Sequence, residues 1–305
     1  MIDTVRIYFP QDLIHEVDLI SEVPTILCDV TSHSNNDRVW YSGKLKNLSW
    51  SVRKDGISIS GSLTKYICGN NYTNMNQETL NNAIDQLSSY FGVDLTIGRI
   101  TQLDFGINLN CKEAPMNYFK CLGSSPYYKS RSVNNSTLSY SNRSRTKLFY
   151  DKLKQMKATN VFIPEKFIGL NILRFEVRYR KKAFKYFGRK ELRVKDLLTS
   201  SFHKRLKEQL FKEFSSIQTV LLPSISKEII TTASIFGDQL IALAIEQLGM
   251  DVIYDLVDSC TNMDSQNKTR SRQRCMKVLK KFHHNNDESL YDELTINFIK
   301  ELKKI

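Results

Sequence analysis

The chain has 305 residues, of which 41% are hydrophobic and 25% charged, and its formal net charge is +12. This apolar share suffices for a buried core, which excludes a wholly disordered chain. No unbroken apolar run approaches the ~20 residues that span a bilayer, and residues 1–6 show no secretory signal. The sequence therefore predicts a cytoplasmic protein of one large domain or two ordinary ones, without a membrane partner.

The excess of positive charge is typical of proteins with an anionic partner, most often nucleic acid. The alternative is a basic protein that its charge keeps soluble. The six cysteines include no CxxC pair, so neither a zinc ribbon nor a disulfide framework is predicted. The adjacent pair His283-His284 does not have the spacing of a strand-borne metal site, and no histidine metal centre is expected.

Alternating apolar and polar residues predict strands, and apolar residues at helical spacing predict helices. The hairpin prediction rests on Asp55-Gly56, which lies between two alternating runs. Asn74 or Asn76 is available to cap the first long helix, and Gly92 to end it. In the first part of the chain we expect a strand over 2–9, a hairpin of 48–52 and 57–60, a helix over 80–91 and a strand over 99–110.

The later patterns predict a helix over 114–122, a loop over 124–135, strands over 137–141, 146–152 and 172–180, and helices over 194–214, 229–248, 252–257 and 290–302, with a basic run over 268–281. The fold class is α+β. We expect an antiparallel-type sheet of two βαβ-like halves, with helices on one face and the other free for a ligand, followed by a C-terminal helical region. The predicted domains are 1–190, catalytic, and 191–305, helical and basic.

Candidate catalytic residues lie on three predicted strands. Asp104 and Glu176 project from the polar side of neighbouring strands, where two carboxylates can hold a hard divalent cation such as Mg²⁺ or Mn²⁺. Tyr150 can supply an oxygen nucleophile if nearby cations lower its pKa, and Lys147 and Lys152 are candidates for that task. The alternatives are a surface ion pair for the acids and a packing role for the tyrosine.

Two segments carry a family resemblance. The strand Leu173-Arg174-Phe175-Glu176-Val177-Arg178-Tyr179 is similar to an Arg-Phe-Glu-x-Arg strand, and residues 145–152 are similar to an Arg-Thr-x-x-x-Tyr-x-Lys run. With Met1-Ile2-Asp3 and the run 61–65 before them, they make residues 1–190 resemble the filamentous-phage replication initiator, the gene II protein, and related rolling-circle initiators.

The resemblance implies a Rep-nuclease-like fold and a site-specific DNA nicking-joining endonuclease. Tyr150 would attack a phosphate at a phage or plasmid origin and keep the 5′ end as a phosphotyrosine, with Lys152 assisting and Asp104 and Glu176 holding the metal. No ATP is required, since Gly56 to Gly61 has P-loop glycine spacing but lacks the following Lys-Ser/Thr. A host helicase and DNA polymerase are implied partners.

Two departures from the family pattern leave the third metal ligand unassigned, because Gln102 replaces a frequent arginine and Ser58 replaces an acid found in some relatives. The competing interpretation is a non-catalytic, basic nucleic-acid-binding protein on the same fold. A DNA-mobilising relaxase is a variant of the first interpretation. The residues expected to contact DNA are Lys65, Arg145, Lys147, Arg174, Arg178, Arg180, Lys268, Arg270, Arg272 and Arg274.

Overall fold

The computed structural model describes residues 2–13, 21–35, 38–70, 72, 77–134, 136–219, 232–282 and 290–304. The strands in these ranges are β1 (Ile2–Pro10), β2 (Cys28–Asn35), β3 (Arg38–Leu45), β4 (Leu48–Arg53), β5 (Gly56–Ser62), β6 (Arg99–Cys111), β7 (Ser130–Asn134), β8 (Thr137–Ser141), β9 (Arg145–Asp151), β10 (Asn171–Arg180) and β11 (Leu192–Arg193). The α-helices are α1 (Val23–Ile26), α2 (Leu63–Cys68), α3 (Gln77–Phe91), α4 (Pro115–Cys121), α5 (Lys152–Ala158), α6 (Val194–Leu197), α7 (Ser200–Ser215), α8 (Ala233–Leu248), α9 (Met250–Ser259), α10 (Ser265–Phe282) and α11 (Leu290–Lys304).

The strands form one antiparallel sheet in the order β2-β3-β4-β5-β1-β6-β10-β9-β8-β7, and β11 pairs with β6. The predicted α+β fold is confirmed. None of the helices in the described ranges has the length and apolar character needed to cross a bilayer.

The described residues divide into two compact units. The first comprises Met1–Met116, Ser125–Ser216 and Asn297–Ile305 and contains the sheet. The second comprises Asn117–Ser124 and Ile217–Ile296 and contains α8, α9 and α10. The domain boundary expected near residue 190 stays a prediction.

Helices cover one face of the sheet, and aromatic side chains form much of the core there. Trp50 of β4 stacks on Phe91 of α3 at 3.8 Å between ring centroids. Phe175 of β10 stacks on Phe149 of β9 at 4.5 Å and meets Phe214 of α7 edge-on at 5.7 Å. Because residues alternate between the faces of a strand, this packing directs the neighbours of Phe149 and Phe175 to the opposite face.

The opposite face is polar where β1, β4 and β5 pair. Pairing brings Ser49 and Ser51 of β4 beside Ser60 and Ser58 of β5, and these two in turn beside Arg6 and Tyr8 of β1. A cavity of about 390 Å³ opens here, and its lining includes these six residues. The part of this face formed by β1, β4 and β5 therefore borders a cavity, and the expectation that the whole face is free for a ligand stays a prediction.

Several elements differ from the sequence-based expectations. The segment 124–135, expected to be a loop, contains β7, and the strands β2 and β3 were not predicted. The helix expected over 194–214 is divided into α6 and α7, because Thr199 is extended and its hydroxyl accepts a hydrogen bond from the Phe202 amide. The proposed caps Asn74 and Asn76 and the pair His283-His284 lie outside the described residues.

Candidate active site on the polar face of the sheet

The candidate site lies on the three adjacent strands β6, β10 and β9. In the pairing register, Arg174 of β10 lies opposite Asn108 of β6 on one side and Tyr150 of β9 on the other. Glu176 is two residues further along β10 and therefore projects from the same face. Sheet pairing thus brings together residues from three distant parts of the sequence.

The Arg174 guanidinium is at the centre of the cluster and is fully buried. It donates from Nε to Oε2 of Glu176 at 3.1 Å, from Nη2 to Oδ2 of Asp3 at 2.8 Å and from Nη1 to Oδ1 of Asn108 at 3.1 Å. Burial would lower the pKa of Arg174, but Tyr150 and the two acids raise it on balance. A buried charge is tolerated only when it is paired in this way.

The Tyr150 hydroxyl is fixed by the acid that Arg174 holds. It donates to Oε2 of Glu176 at 3.3 Å. Burial raises the pKa of Tyr150 well above its usual range, and Glu176 and Asp3 add to the increase while Arg174 opposes it. At neutral pH the phenol is therefore protonated, and its proton is directed at a carboxylate oxygen.

Asp104 is a second carboxylate at the same site. Its Oδ1 accepts from Nε2 of Gln102 at 3.0 Å, and its Oδ2 accepts from Nε of Arg178 at 3.0 Å. Nη2 of Arg178 lies 3.7 Å from Oε1 of Glu176, so one arginine bridges both acids. Burial, followed by repulsion from Glu176, raises the pKa of Asp104 to about 7, although Arg178 and Gln102 oppose the increase.

The Asp104–Glu176 pair fits a hard divalent cation. Burial is the main cause of the raised pKa of Asp104 and repulsion from Glu176 the second, so a cation at this point would favour the ionised form of both carboxylates. Mg²⁺ at phosphate-transfer sites is commonly held by one or two carboxylates together with substrate oxygens. Within the described ranges, no group of three or more His, Cys, Asp or Glu side chains is placed to hold a metal.

Gly106 allows β6 and β10 to approach each other closely beside Glu176. It lies opposite Glu176 on β6, and a Cβ there would be 2.5 Å from the Phe175 carbonyl oxygen and 3.0 Å from the Glu176 Cα. Any side chain would push β6 and β10 apart at the site. Gly106 falls within the strand predicted over 99–110, and a lone glycine in a strand pattern is the signal from which its role could have been suspected.

Lys152 lies near the cluster because β9 ends at Asp151, which caps the first turn of α5. The Asp151 side chain accepts a hydrogen bond from the Lys154 amide at 2.9 Å and starts α5 at Lys152. Lys152 is 1% exposed, and its Nζ donates to Oε1 of Gln155 at 3.1 Å. Burial, with a contribution from Arg174, lowers the pKa of Lys152 to about 7, so both protonation states are populated near neutral pH.

Asp3 is a member of the cluster that sequence analysis did not identify. Burial alone would raise the pKa of Asp3, but Arg174, Ser62 and Lys152 hold it below its usual value. Asp3 therefore stays ionised and anchors the Arg174 guanidinium from β1. The available signal was an acidic residue at the start of β1, a strand whose buried residues are otherwise apolar.

Arg145 and Lys147 do not join this site. They lie on the helix-covered face of β9, where both pair with the buried Glu213 of α7. Lys147 is fully buried and donates from Nζ to Oγ of Ser125 at 2.8 Å and to Oγ of Ser216 at 2.7 Å. Neither their expected role in DNA binding nor the action of Lys147 on Tyr150 fits this position, because alternate residues of a strand face opposite ways.

The remaining expected DNA contacts on the sheet differ in exposure. Arg174 is fully buried, so its role is to hold the carboxylates rather than to meet DNA from solvent. The Arg178 side chain is 35% exposed and Arg180 is exposed on the same face. Lys65 of α2 is half-buried, and its charge contributes to the lowered pKa of Asp3.

In the second unit, the predicted basic contacts mostly join helices to one another. Arg272 of α10 pairs with the carboxylate of Asp258 in α9. Nζ of Lys268 donates to the backbone carbonyl oxygen of Asp258 at 2.7 Å. Arg274 pairs with an aspartate of α8 at 3.0 Å, whereas Arg270 is exposed. Their binding to DNA stays a prediction.

The fold and the cluster define a basic α+β protein in which a phenol and two carboxylates meet on the polar face of an antiparallel sheet. Residues 1–201 match the model of a family described as the N-terminal part of a replication-associated phage protein of the gene II type, and the chain belongs to this family of phage replication proteins. This confirms the resemblance that the strand motifs indicated. No curated protein is significantly similar to the chain.

Proposed function

We propose that this protein is a replication initiator that nicks and rejoins DNA at an origin through a covalent bond to Tyr150. The observation that carries the proposal is the hydrogen bond from the Tyr150 hydroxyl to Glu176, on the sheet face that also holds Asp104. A nucleophile held by an adjacent proton acceptor, itself oriented by a third group, is the arrangement expected for covalent catalysis. Here the third group is Arg174.

In the proposed transfer of the phosphate to Tyr150, residues of the site accept and supply the protons that move. The Tyr150 oxygen forms a bond to phosphorus as the P–O3′ bond breaks, and the phenolic proton moves along its hydrogen bond to Oε2 of Glu176. The leaving O3′ takes a proton, for which the Lys152 ammonium is the candidate donor, and a free 3′-hydroxyl results. Because the phosphotyrosine is still a phosphodiester, the reverse reaction rejoins the strand without ATP.

The cation is proposed to be Mg²⁺ or Mn²⁺, held by Asp104 and Glu176. When bound, it would supply charge neutralisation at the scissile phosphate. Arg178 bridges the same two acids and its side chain is one-third exposed, so it can exchange the carboxylates for a phosphate oxygen, to which arginine binds in bidentate fashion.

Origin DNA is the proposed substrate, and the polar sheet face is the proposed surface for it. Serine hydroxyls and arginines are suited to phosphate oxygens, and they continue from the site across β1, β5 and β4. The chain has no P-loop lysine after Gly56 to Gly61, so we propose that a host helicase unwinds the duplex and a host polymerase extends the 3′ end.

The alternative is a non-catalytic DNA-binding protein. It is favoured by one observation: Arg174 and Arg178 already pair with both carboxylates of the site. In that case the cluster would stabilise the sheet, and the protein would bind DNA without cutting it.

The deciding experiment is a covalent-adduct assay with the supercoiled replicon DNA and Mn²⁺, analysed on a denaturing gel. Wild-type protein should form a protein–DNA adduct and Tyr150→Phe should form none while still binding the DNA. Tyr140→Phe and Tyr179→Phe are matched controls, because both tyrosines are buried and lie opposite Lys147 and Arg145 on the helix-covered face. An adduct that persists in Tyr150→Phe moves the nucleophile elsewhere, and a wild-type protein that binds without any adduct supports the alternative.

A further inference from the structure

A second cavity, of about 290 Å³, lies in the first unit beside the candidate active site. Asn108 and Asn110 of β6 line one side, and Lys152 and Met156 of α5 line another. The segment between α5 and β10 contributes Phe167. Pockets for small ligands start at about 300 Å³, so this cavity has room for one planar group and little more.

The lining of this cavity combines aromatic rings with amide groups. Tyr72 and Phe167 meet edge-on at 5.3 Å between centroids, and Nζ of Lys166 lies 5.2 Å from the Phe167 ring. Oδ1 of Asn108 accepts a hydrogen bond from Arg174, and among the described residues its Nδ2 donates to no acceptor. Ring faces for stacking, with an amide donor beside them, match the requirements of a nucleobase.

The cavity is connected to the nucleophile by three consecutive hydrogen-bonded contacts. Asn108 accepts from Arg174 at 3.1 Å, Arg174 donates to Glu176 at 3.1 Å, and Glu176 accepts from Tyr150 at 3.3 Å. Lys152 lines the cavity and also contributes to the electrostatics of the same cluster. A group held here therefore belongs to a nucleotide near the phosphate that Tyr150 would attack.

We infer that this cavity receives a single unstacked base of the DNA strand, next to the scissile phosphate, and packs it against Phe167 and Tyr72. The inference rests on the proposed nicking function for the identity of the substrate. Holding the base out of the stack fixes the rotation of the neighbouring phosphate, which is a positioning contribution to an in-line displacement. The cavity would thereby set which nucleotide borders the nick.

The test uses the nicking-deficient Tyr150→Phe protein and the single-stranded probe dT20, so that base binding is measured without cleavage. A dT20 that carries 5-iododeoxyuridine should cross-link on irradiation to peptides that contain Phe167 or Tyr72. Phe167→Ala in this background should weaken binding of dT20 about 5- to 150-fold, the loss expected from removing one stacked base. Phe167 is half-buried, and its removal leaves the buried core intact.

The matched control is Phe162→Ala, since Phe162 is 77% exposed, belongs to the same segment and does not line the cavity. It should leave dT20 affinity and the cross-linked peptides unchanged. Tyr72→Ala is the second variant and should weaken binding in the same direction as Phe167→Ala. Equal affinities for Phe167→Ala and Phe162→Ala, or cross-links confined to other peptides, would overturn the inference. Such a result would leave the Tyr150 adduct assay unaffected, so failure of the cavity and failure of the nicking proposal are separable.

Discussion

Replacing Arg174 by methionine is the most direct test of how the site is held. The change removes three hydrogen bonds of 2.8 to 3.1 Å, leaves Asp3 buried without its ion-pair partner, and leaves Glu176 only the longer contact with Arg178. Breaking a buried ion pair from one side costs about 3–5 kcal/mol, because the remaining charge keeps its desolvation penalty. We expect the free energy of unfolding of the sheet unit to fall by about that amount.

The measurement is urea unfolding followed by tryptophan fluorescence, because Trp40 and Trp50 are the two tryptophans of the chain and both lie in the sheet unit. Arg180→Met is the control, since Arg180 is on the same strand and face but exposed, and its loss should be within about 0.5 kcal/mol. Adding Asp3→Asn to Arg174→Met should recover part of the loss by removing one uncompensated charge.

The pH dependence of folding stability is a second test of the ion pair between Asp3 and Arg174. The pKa of Asp3 in the folded protein is below its usual value, so its contribution is present above about pH 4 and is lost as the pH falls through the folded pKa. The difference in stability between wild type and Arg174→Met should therefore narrow on acidification. An Arg174→Met protein no less stable than Arg180→Met, or a difference independent of pH, would refute the description of Arg174 as the paired centre of the site.

Two further changes test neighbouring features. Gly106→Ala should destabilise the sheet by about 1–3 kcal/mol and abolish the Tyr150 adduct, because the added Cβ would lie 2.5 Å from the Phe175 carbonyl oxygen. Urea unfolding measures the loss of stability, and the denaturing gel measures the adduct. A stable variant that forms the adduct normally would contradict the close approach of β6 and β10. Burial lowers the pKa of Lys147 to about 8, so between about pH 8 and 10.5 the unfolded chain binds a proton that the folded protein does not. The stability of wild type relative to Lys147→Met should therefore rise with pH over that range. If the two curves of unfolding free energy against pH run parallel, Lys147 is not buried in this way.

The sequence was sufficient to predict those features that depend only on the alternation of side chains along a single strand. Strand alternation over 99–110 and 172–180 correctly directs Asp104 and Glu176 to a polar face, and the structure has them on adjacent strands. The same rule, applied strictly to 145–152, separates Lys147 from Tyr150 by an odd number of positions and so excludes their contact. The correction concerning Lys147 was thus within reach of the sequence.

Other features depend on contacts that no local pattern encodes. The strand β2 is exposed along almost its whole length, so it shows no alternation of apolar residues from which to predict it. Asp3 acquires its role from Arg174, and Glu213 acquires its role from Lys147 and Arg145, through pairing across the folded sheet and the helix on it. The sequence patterns indicated the proposed reacting groups but not the acids that pair with the buried cations, which are Asp3 for Arg174 and Glu213 for Arg145 and Lys147.

The contact between Asp3 and Arg174 joins positions 171 residues apart. A ribosome-bound or proteolytically shortened chain that lacks β10 would have the tyrosine but not the acid and guanidinium that orient it. If Tyr150 is the nucleophile, as proposed, we expect DNA cutting only after β10 has paired with β9 and Arg174 has met Asp3 of β1.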